Sequence, residues 1–151
     1  MDSSVTHLSD AIGVRYNVGD CRLNTIATHT DNTGQLWALE RSADIPFEPQ
    51  RVFYIRAADP TTERGRHAHI RCTQLLICLT GRMDILMKDE QGEARFILDN
   101  PGQSLLVPPG IWCEQCHFSA DTILMVVCDR PYEVEDYIHD FASYLAHRKQ
   151  L

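Results

Sequence analysis

Short apolar runs separated by turn-forming residues make up most of the chain. The runs occupy residues 35–40, 51–56, 73–79, 82–88, 94–98, 104–107 and 122–128. Glycine, proline, asparagine and aspartate cluster between them, as at residues 99–102. Strands this short and this regularly punctuated are typical of an all-β sandwich or barrel. Residues 1–30 are polar and irregular, with room for short strands.

The carboxyl-terminal segment follows a different period. From Glu133 onward the apolar positions recur every three or four residues, at Val134, Tyr137, Ile138, Phe141, Tyr144 and Leu145. This spacing predicts an α-helix, and the basic Arg148 and Lys149 suit its carboxyl end. We therefore predict a single domain over residues 1–151, with a β core at about 25–130 and a helix at about 133–149.

Charge and composition narrow the functional classes. The 151 residues include 14 Lys and Arg against 21 Asp and Glu, a net charge of −7, which argues against binding to a nucleic acid polymer. No apolar run approaches the roughly 20 residues that a membrane helix needs, so no membrane association is expected. Residues 1–7 lack the pattern of a secretory signal. We therefore expect a cytoplasmic protein whose 6 cysteines are free thiols.

The strongest chemical signal is the run Arg64-Gly65-Arg66-His67-Ala68-His69. Side chains alternate along a strand, so His67 and His69 would face the same side. Two imidazoles that converge inside a barrel can bind a metal or perform acid–base chemistry. The other histidines outside this region, His7, His29 and His147, are interpreted as surface residues.

The histidine pair lies in a pattern that resembles the two cupin motifs. His67, His69, Gln74 and Gly81 match the spacing of the first motif, and Gly102, Pro108, Gly110, Cys113 and His117 match that of the second. The resemblance implies a double-stranded β-helix, or jelly roll. In metal-binding cupins the ligands are the histidine pair, a glutamate and a later histidine, and here Gln74 and Cys113 take the last two places. The chain is therefore expected to keep the scaffold without the metal.

A more specific resemblance covers roughly residues 25–145. It rests on Gly34-Gln-Leu-Trp-Ala-Leu-Glu40, Ile45-Pro46-Phe47, Arg51-Val-Phe-Tyr54-Ile, Arg64-Gly65-x-His67-Ala68-His69, Gln74 and Tyr132-x-x-x-Asp136-Tyr137-Ile138. In this order they resemble the metal-free cupins that act as dTDP-4-keto-6-deoxyhexose 3,4-ketoisomerases. The sequence departs from that family at Ile70, His139 and Phe141.

The resemblance implies a reaction and its partners. A dTDP-linked 4-keto-6-deoxy sugar would become the 3-keto sugar, with no cofactor, in a homodimer. The product would supply a 3-aminotransferase for a surface polysaccharide such as lipopolysaccharide, or for a glycosylated metabolite. The chemistry requires a base that removes the C3 proton, which the neighbouring ketone acidifies, and donors that stabilise the enediolate.

The base, the donors and the substrate contacts can each be assigned to predicted residues. His67 is the predicted base, His69 the second acid–base group or oxyanion donor, and Tyr54 a further donor to the sugar. The residues predicted to bind substrate are Arg51, Arg64, Gln74, Trp112 and Tyr132. Five arginines against two acidic residues lie between positions 51 and 71, which favours the binding of a diphosphate. Trp112 would stack on the thymine or wall the pocket, unless it fills the core.

Three alternatives stay open at this stage. A metal-dependent cupin enzyme would use His67, His69 and Cys113 around iron or zinc. A sugar-nucleotide 3,5-epimerase would exchange the C5 proton as well as the C3 proton. A non-catalytic module would bind the nucleotide sugar without proton exchange.

Overall fold

The computed structural model of the protein describes residues 14–151, which form twelve strands and one α-helix. The strands are β1 (Arg22–Thr25), β2 (Thr28–Asp31), β3 (Gly34–Trp37), β4 (Arg51–Arg56), β5 (Arg64–His69), β6 (Gln74–Thr80), β7 (Met83–Lys88), β8 (Glu93–Leu98), β9 (Gln103–Val107), β10 (Trp112–Cys116), β11 (Ile123–Cys128) and β12 (Tyr137–Ile138), and the helix is α1 (Phe141–Arg148). The predictions for His7 and for the amino-terminal segment 1–7 lie outside the described residues.

The strands form two five-stranded antiparallel sheets and one hairpin. The first sheet has the order β1-β9-β6-β11-β4, the second has the order β12-β5-β10-β7-β8, and β2 pairs with β3. The main hydrophobic cluster draws on both five-stranded sheets, as Leu76 and Leu124 from the first and Ile85 and Met87 from the second show. The two sheets therefore enclose one core, and the predicted all-β class is confirmed.

The central strands of the first sheet are covered on both faces. In β6, Leu76 and Cys78 belong to the main core, whereas the alternating Leu75 and Ile77 belong to a second cluster with Phe47 on the outer face. This double burial explains why β6 and β11 are apolar without interruption, since a strand buried on one face alternates apolar and polar residues. The strand at 51–56 was predicted with its observed bounds.

The predicted helix over 133–149 is wrong in its first half. Val134–Asp136 is a short 3-10 helix, Tyr137–Ile138 pairs with β5, and α1 begins only at Phe141. Asp140 ends the extended stretch as the N-cap of α1, because its side chain accepts a hydrogen bond from the Ser143 backbone N–H at 2.8 Å. The apolar period continues across both halves because both bury side chains against the same sheet, so periodicity alone does not separate them.

Helix α1 is held to the barrel by the fully buried side chain of Arg148. Its guanidinium group donates to the Glu90 carboxylate at 2.5 Å, to the backbone oxygen of Tyr16 at 2.5 Å and to the backbone oxygen of Gly110 at 3.1 Å. The hydrogen bond from Arg148 is the main reason that the pKa of Glu90 is lowered to about 2. The buried guanidinium group of Arg148 therefore joins helix α1 to three other segments of the chain, at Tyr16, Glu90 and Gly110. Within residues 14–151, no helix is long and apolar enough to cross a membrane.

Replacing Arg148 with Met should lower the free energy of unfolding by about 3–5 kcal/mol, because Glu90 and two carbonyl groups lose their buried partner. Urea denaturation of the variant measures this change. Lys149→Met, at an exposed neighbour, is the matched control and should shift stability by less than about 0.5 kcal/mol. Equal effects of the two substitutions would show that Arg148 does not anchor the helix.

Candidate active site

The site is built around an irregular stretch of β5. Gly65 has φ of +74° and Arg66 has φ of +57°, so two consecutive residues adopt the left-handed conformation just before His67. A side chain at position 65 would place its Cβ 3.0 Å from the backbone oxygen of Cys113, in a backbone conformation that other residues rarely adopt, so glycine is strongly favoured there. The pairing of β5 with β10 shifts register at the same point. This bulge sets the direction in which the following side chain, His67, enters the barrel.

His67 is held in one tautomer by the bulge. Its Nδ1 lies 3.0 Å from the backbone oxygen of Gly65, and a carbonyl only accepts, so Nδ1 carries the proton. Nε2 then bears the lone pair. Burial, together with the nearby His69, lowers the pKa of His67 to about 4. His67 is therefore a neutral imidazole at physiological pH, ready to accept a proton at Nε2.

His69 lies beside His67 and is fixed by a buried carboxylate. The two ring centroids are 5.0 Å apart, and Nδ1 of His69 donates to Oδ2 of Asp136 at 2.9 Å. Asp136 also accepts from the backbone N–H of Arg71 at 2.6 Å and from that of Cys72 at 3.3 Å. Burial opposes its ionisation, but the hydrogen bonds from His69 and from these backbone groups lower the pKa of Asp136. Nε2 of His69 is left as a buried atom with no hydrogen-bond partner among the described residues.

Tyr137 joins the two imidazoles into one aromatic cluster. Its ring centroid lies 5.1 Å from that of His67 and 4.4 Å from that of His69. The ring of His139 stacks on the ring of Tyr137, with centroids 5.5 Å apart, and its centroid lies 5.8 Å from that of His67. Because Tyr137 belongs to β12, which pairs with His69 and Ala68, the carboxyl-terminal segment supplies both the carboxylate and the phenol of the site.

A pocket of about 340 Å³ opens in front of His67. Its lining is Arg51, Phe53, Tyr54, Ile55, Arg64, Gly65, His67, Gln74, Gln115 and Tyr137. Arg66 pairs with Glu63 and Glu114, and Arg71 pairs with Glu133, whereas the ion pairs of the described residues do not include Arg51 or Arg64. Of the five arginines between positions 51 and 71, Arg51 and Arg64 therefore line the pocket without an ion-pair partner among the described residues. The guanidinium group of Arg51 also lies 5.1 Å from the ring centre of the exposed Tyr132, at the rim.

Trp112 does not reach this pocket. It is 4% exposed and contacts Phe141 and Tyr144 on the outer face of the second sheet, under helix α1. Alternation along β10 explains the placement, since the next residue, Cys113, points into the core. The structure therefore favours the core-filling interpretation of Trp112 over thymine stacking.

Tyr54 lines the pocket, but most of its side chain is exposed to solvent. It is 74% exposed, and it alternates along β4 with Phe53 and Ile55, which face the core. The tyrosine in contact with the imidazoles is Tyr137 instead. Gln74 lines the pocket as expected, and its Nε2 donates to the Cys128 sulfur at 3.6 Å.

The donor chemistry around His69 does not favour a metal ion. Ligand atoms of His69, Cys72 and Asp136 lie within 4.8 Å of one another. Asp136 already accepts three hydrogen bonds, and the Cys72 thiol donates to the Thr73 backbone oxygen at 3.5 Å. A hydrogen bond with Cys128 and burial raise the pKa of Cys72. The alternative ligand Cys113 also stays a thiol at neutral pH, because burial raises its pKa to about 12.

Sequence reasoning missed three residues of the site: Asp136, Tyr137 and Gln115. Asp136 and Tyr137 were part of the family-like segment that begins at Tyr132, but the helical period placed them on a helix rather than on a strand against β5. Gln115 had no such signal. Only the register of β10 against β5 and β7 shows that it points inward.

The tautomer and charge of His67 can be measured directly. Long-range ¹H–¹⁵N NMR should show Nδ1 protonated at pH 7.5, and the ring should titrate near pH 4. Since the folded pKa lies below the unfolded value of about 6.5, the unfolding free energy should fall as the pH drops from about 6.5 to 4. His67→Asn should reduce that fall. A ring that titrates near pH 6.5, or that carries its proton on Nε2, would contradict this description of the site.

Comparisons with known proteins identify the family of the chain. Residues 19–149 match the family model described as FdtA: WxcM-like, C-terminal. The TDP-4-oxo-6-deoxy-alpha-D-glucose-3,4-oxoisomerase of Aneurinibacillus thermoaerophilus is 35% identical over 114 residues, which cover 76% of this chain and 82% of that protein.

The chain is also similar to solved structures of sugar-nucleotide enzymes. A mutant of the 3,4-ketoisomerase QdtA from Thermoanaerobacterium thermosaccharolyticum, in complex with TDP-4-keto-6-deoxyglucose, matches with a TM-score of 0.84 and 31% identity, over 91% of this chain and 97% of that one. The dTDP-4-dehydrorhamnose 3,5-epimerase of Bacillus anthracis shares the fold, with a TM-score of 0.70 and 18% identity, over 82% of this chain and 80% of that one. The chain therefore belongs to the FdtA (WxcM-like, C-terminal) family.

Proposed function

We propose that this protein isomerises a TDP-linked 4-keto-6-deoxyhexose to the corresponding 3-keto sugar. The observation that carries the proposal is the neutral His67, whose Nε2 is free to act as a base beside Tyr137 and next to two pocket arginines. The family relatives that match over most of the chain are named as isomerases of this type. The function is thus supported by the geometry and by the relatives together.

The reaction begins with proton removal at C3. The C4 ketone acidifies the C3–H bond, and Nε2 of His67 takes the proton while the electron pair forms the C3–C4 double bond of an enediolate. Negative charge develops on the C4 oxygen. A neutral imidazole is the required form of the base, which agrees with the lowered pKa of His67.

In the second half a proton moves from the C3 hydroxyl to the C4 oxyanion, and a protonated imidazole gives a proton to C4 as the C3 ketone forms. Over the whole reaction the sugar loses two protons and gains two, so its number of electrons is unchanged. The phenol of Tyr137 is the pocket group that donates to the developing oxyanion, in place of the expected Tyr54. His69 acts as the second acid–base group. Its Nδ1 is occupied by Asp136, so Nε2 is the atom that exchanges a proton.

The nucleotide end is bound by Arg51, Arg64 and Tyr132. The two guanidinium groups neutralise the diphosphate, for which arginine provides bidentate hydrogen bonds. Tyr132 is 61% exposed beside Arg51, and its ring is available to stack on the thymine. Gln74 lines the same pocket and contributes a polar contact to the sugar.

The cellular setting is part of the proposal. The exposed apolar side chains Val52 and Tyr54 on the edge strand β4 support assembly into a homodimer. The six free cysteines support a reducing, cytoplasmic location. A 3-keto product is the substrate class of a 3-aminotransferase, and lipopolysaccharide is the proposed destination of the amino sugar.

The proposal is tested by incubating the protein with TDP-4-keto-6-deoxyglucose in D₂O and following the ring protons by NMR. Deuterium should enter at C3 of the recovered substrate, through reversal of the first step, and at C4 of the 3-keto sugar, which should accumulate. His67→Asn should lower the exchange rate by a factor of about 10²–10⁴, as loss of a general base does, while the affinity for TDP is retained. His147→Asn, on helix α1 outside the pocket, is the matched control.

Each alternative gives a different result in this experiment. Exchange at both C3 and C5 without a 3-keto product would identify an epimerase. Binding without any exchange would identify a sugar-binding module. Either result would overturn the proposal, as would full exchange by His67→Asn.

A further inference from the structure

Gln115 is a buried polar residue on the wall of the pocket with no partner for its carbonyl oxygen. It is 7% exposed, and its Oε1 makes no hydrogen bond to any described residue. Buried polar atoms in folded proteins are nearly always hydrogen-bonded, so such an atom in a binding pocket points to a ligand. Gln115 takes no part in the proton transfer or the nucleotide binding proposed for this pocket.

The register of the second sheet directs Gln115 into the barrel. On β10 it lies opposite Ile85 of β7 and opposite Arg64 of β5, and directly opposed residues of antiparallel strands share one face. Ile85 is part of the main core, and Arg64 lines the pocket. The side chain of Ile85 has no hydrogen-bonding group, so the amide finds no partner there.

Gly65 gives Gln115 its place beside the base. A Cβ at Gly65 would lie 3.6 Å from Cγ of Gln115, so the glutamine packs directly over the glycine backbone. The backbone oxygen of that same glycine accepts the hydrogen bond from Nδ1 of His67. Gln115 and His67 therefore both contact Gly65. Because both side chains line the same pocket, a sugar ring bound next to Nε2 of His67 also lies in the pocket that Gln115 lines.

We propose that Gln115 is a specificity-determining residue whose Oε1 accepts a hydrogen bond from the C2 hydroxyl of the hexose. This inference rests on the proposed function for the class of its ligand. Among the ring hydroxyls of a 4-keto-6-deoxyhexose, those at C2 and C3 are donors. The C3 oxygen becomes a ketone, which would repel Oε1, whereas the C2 hydroxyl stays a donor in the substrate, the enediolate and the product.

A contact that persists through the reaction holds the ring while the proton moves from C3 to C4. It also selects sugars with a hydroxyl at C2, because a 2-deoxy sugar leaves the buried oxygen unsatisfied. A site built to hydrogen-bond a hydroxyl discriminates against analogues that lack it. The assigned role is therefore substrate binding at the carbon next to the reacting one.

The test measures binding by calorimetry with TDP, TDP-6-deoxyglucose and TDP-2,6-dideoxyglucose. None of the three has the C4 ketone, so none can react, and the readout is independent of isomerisation. The wild-type protein should bind TDP-6-deoxyglucose about 3- to 20-fold more tightly than its 2-deoxy counterpart. Gln115→Met should remove this difference and leave the affinity for TDP unchanged.

Two further variants separate a ligand contact from a structural role. Gln115→Glu keeps an oxygen acceptor and should keep the preference for the 2-hydroxyl. Gln103→Met is the matched control, since Gln103 on β9 also has an unpartnered buried Oε1 but lies outside the pocket, and it should behave as wild type.

Three results would overturn the inference: no wild-type preference for the 2-hydroxyl, an equal preference in Gln115→Met, or a parallel loss of TDP affinity in that variant. A wild-type protein that shows the preference but fails to isomerise the 4-keto sugar would refute the proposed function and leave the binding role of Gln115 intact.

Discussion

The candidate site depends on the buried carboxylate of Asp136. An ionised group in the protein interior is stable only when its charge is met by donors, and Asp136 is 4% exposed with three of them. One donor is the imidazole of His69, and two are backbone N–H groups at the turn after β5. The carboxylate thus joins the carboxyl-terminal segment to the strand that carries both histidines. Tyr137 follows Asp136 in sequence, so the same attachment brings the phenol against the imidazole pair.

Local charge, rather than net charge, accounts for the proposed binding of a nucleotide sugar by an acidic protein. The chain carries −7, but acidic residues near the site neutralise particular arginines and leave others free. Glu63 and Glu114 pair with Arg66, and Glu133 pairs with Arg71. Arg51 and Arg64 line the pocket, where a diphosphate would replace solvent as their counter-charge. The net charge is thus an argument against binding to a nucleic acid polymer and not against a single nucleotide.

The all-β class and much of the strand pattern could be predicted from the sequence, because short apolar runs and the turn-forming residues between them are local features of the sequence. The bounds of β4 match the prediction, and His67 lies in the pocket as expected. Strands β10 and β12 were missed, since β10 mixes polar and apolar residues and β12 is only two residues long. Such elements form because partner strands are already in place.

The roles of aromatic and polar side chains were harder to predict for the same reason. Whether Trp112 or Cys113 faces the core depends on the register of β10, and whether Tyr54 or Tyr137 meets the histidines depends on which face of β4 is covered. Neither is visible in local sequence. Asp136 is 67 positions from His69 in the chain, so their hydrogen bond becomes evident only in three dimensions.

We infer that the Asp136 carboxylate organises the imidazole pair for proton transfer at C3. The most direct test is the rate of deuterium exchange at C3 of TDP-4-keto-6-deoxyglucose in Asp136→Asn, compared with Glu135→Gln at the exposed neighbouring position. Asparagine keeps the shape but loses the charge that holds His69. We expect an exchange rate about 10- to 100-fold below wild type in Asp136→Asn, with TDP affinity retained, and no change in Glu135→Gln. A wild-type exchange rate in Asp136→Asn would contradict it.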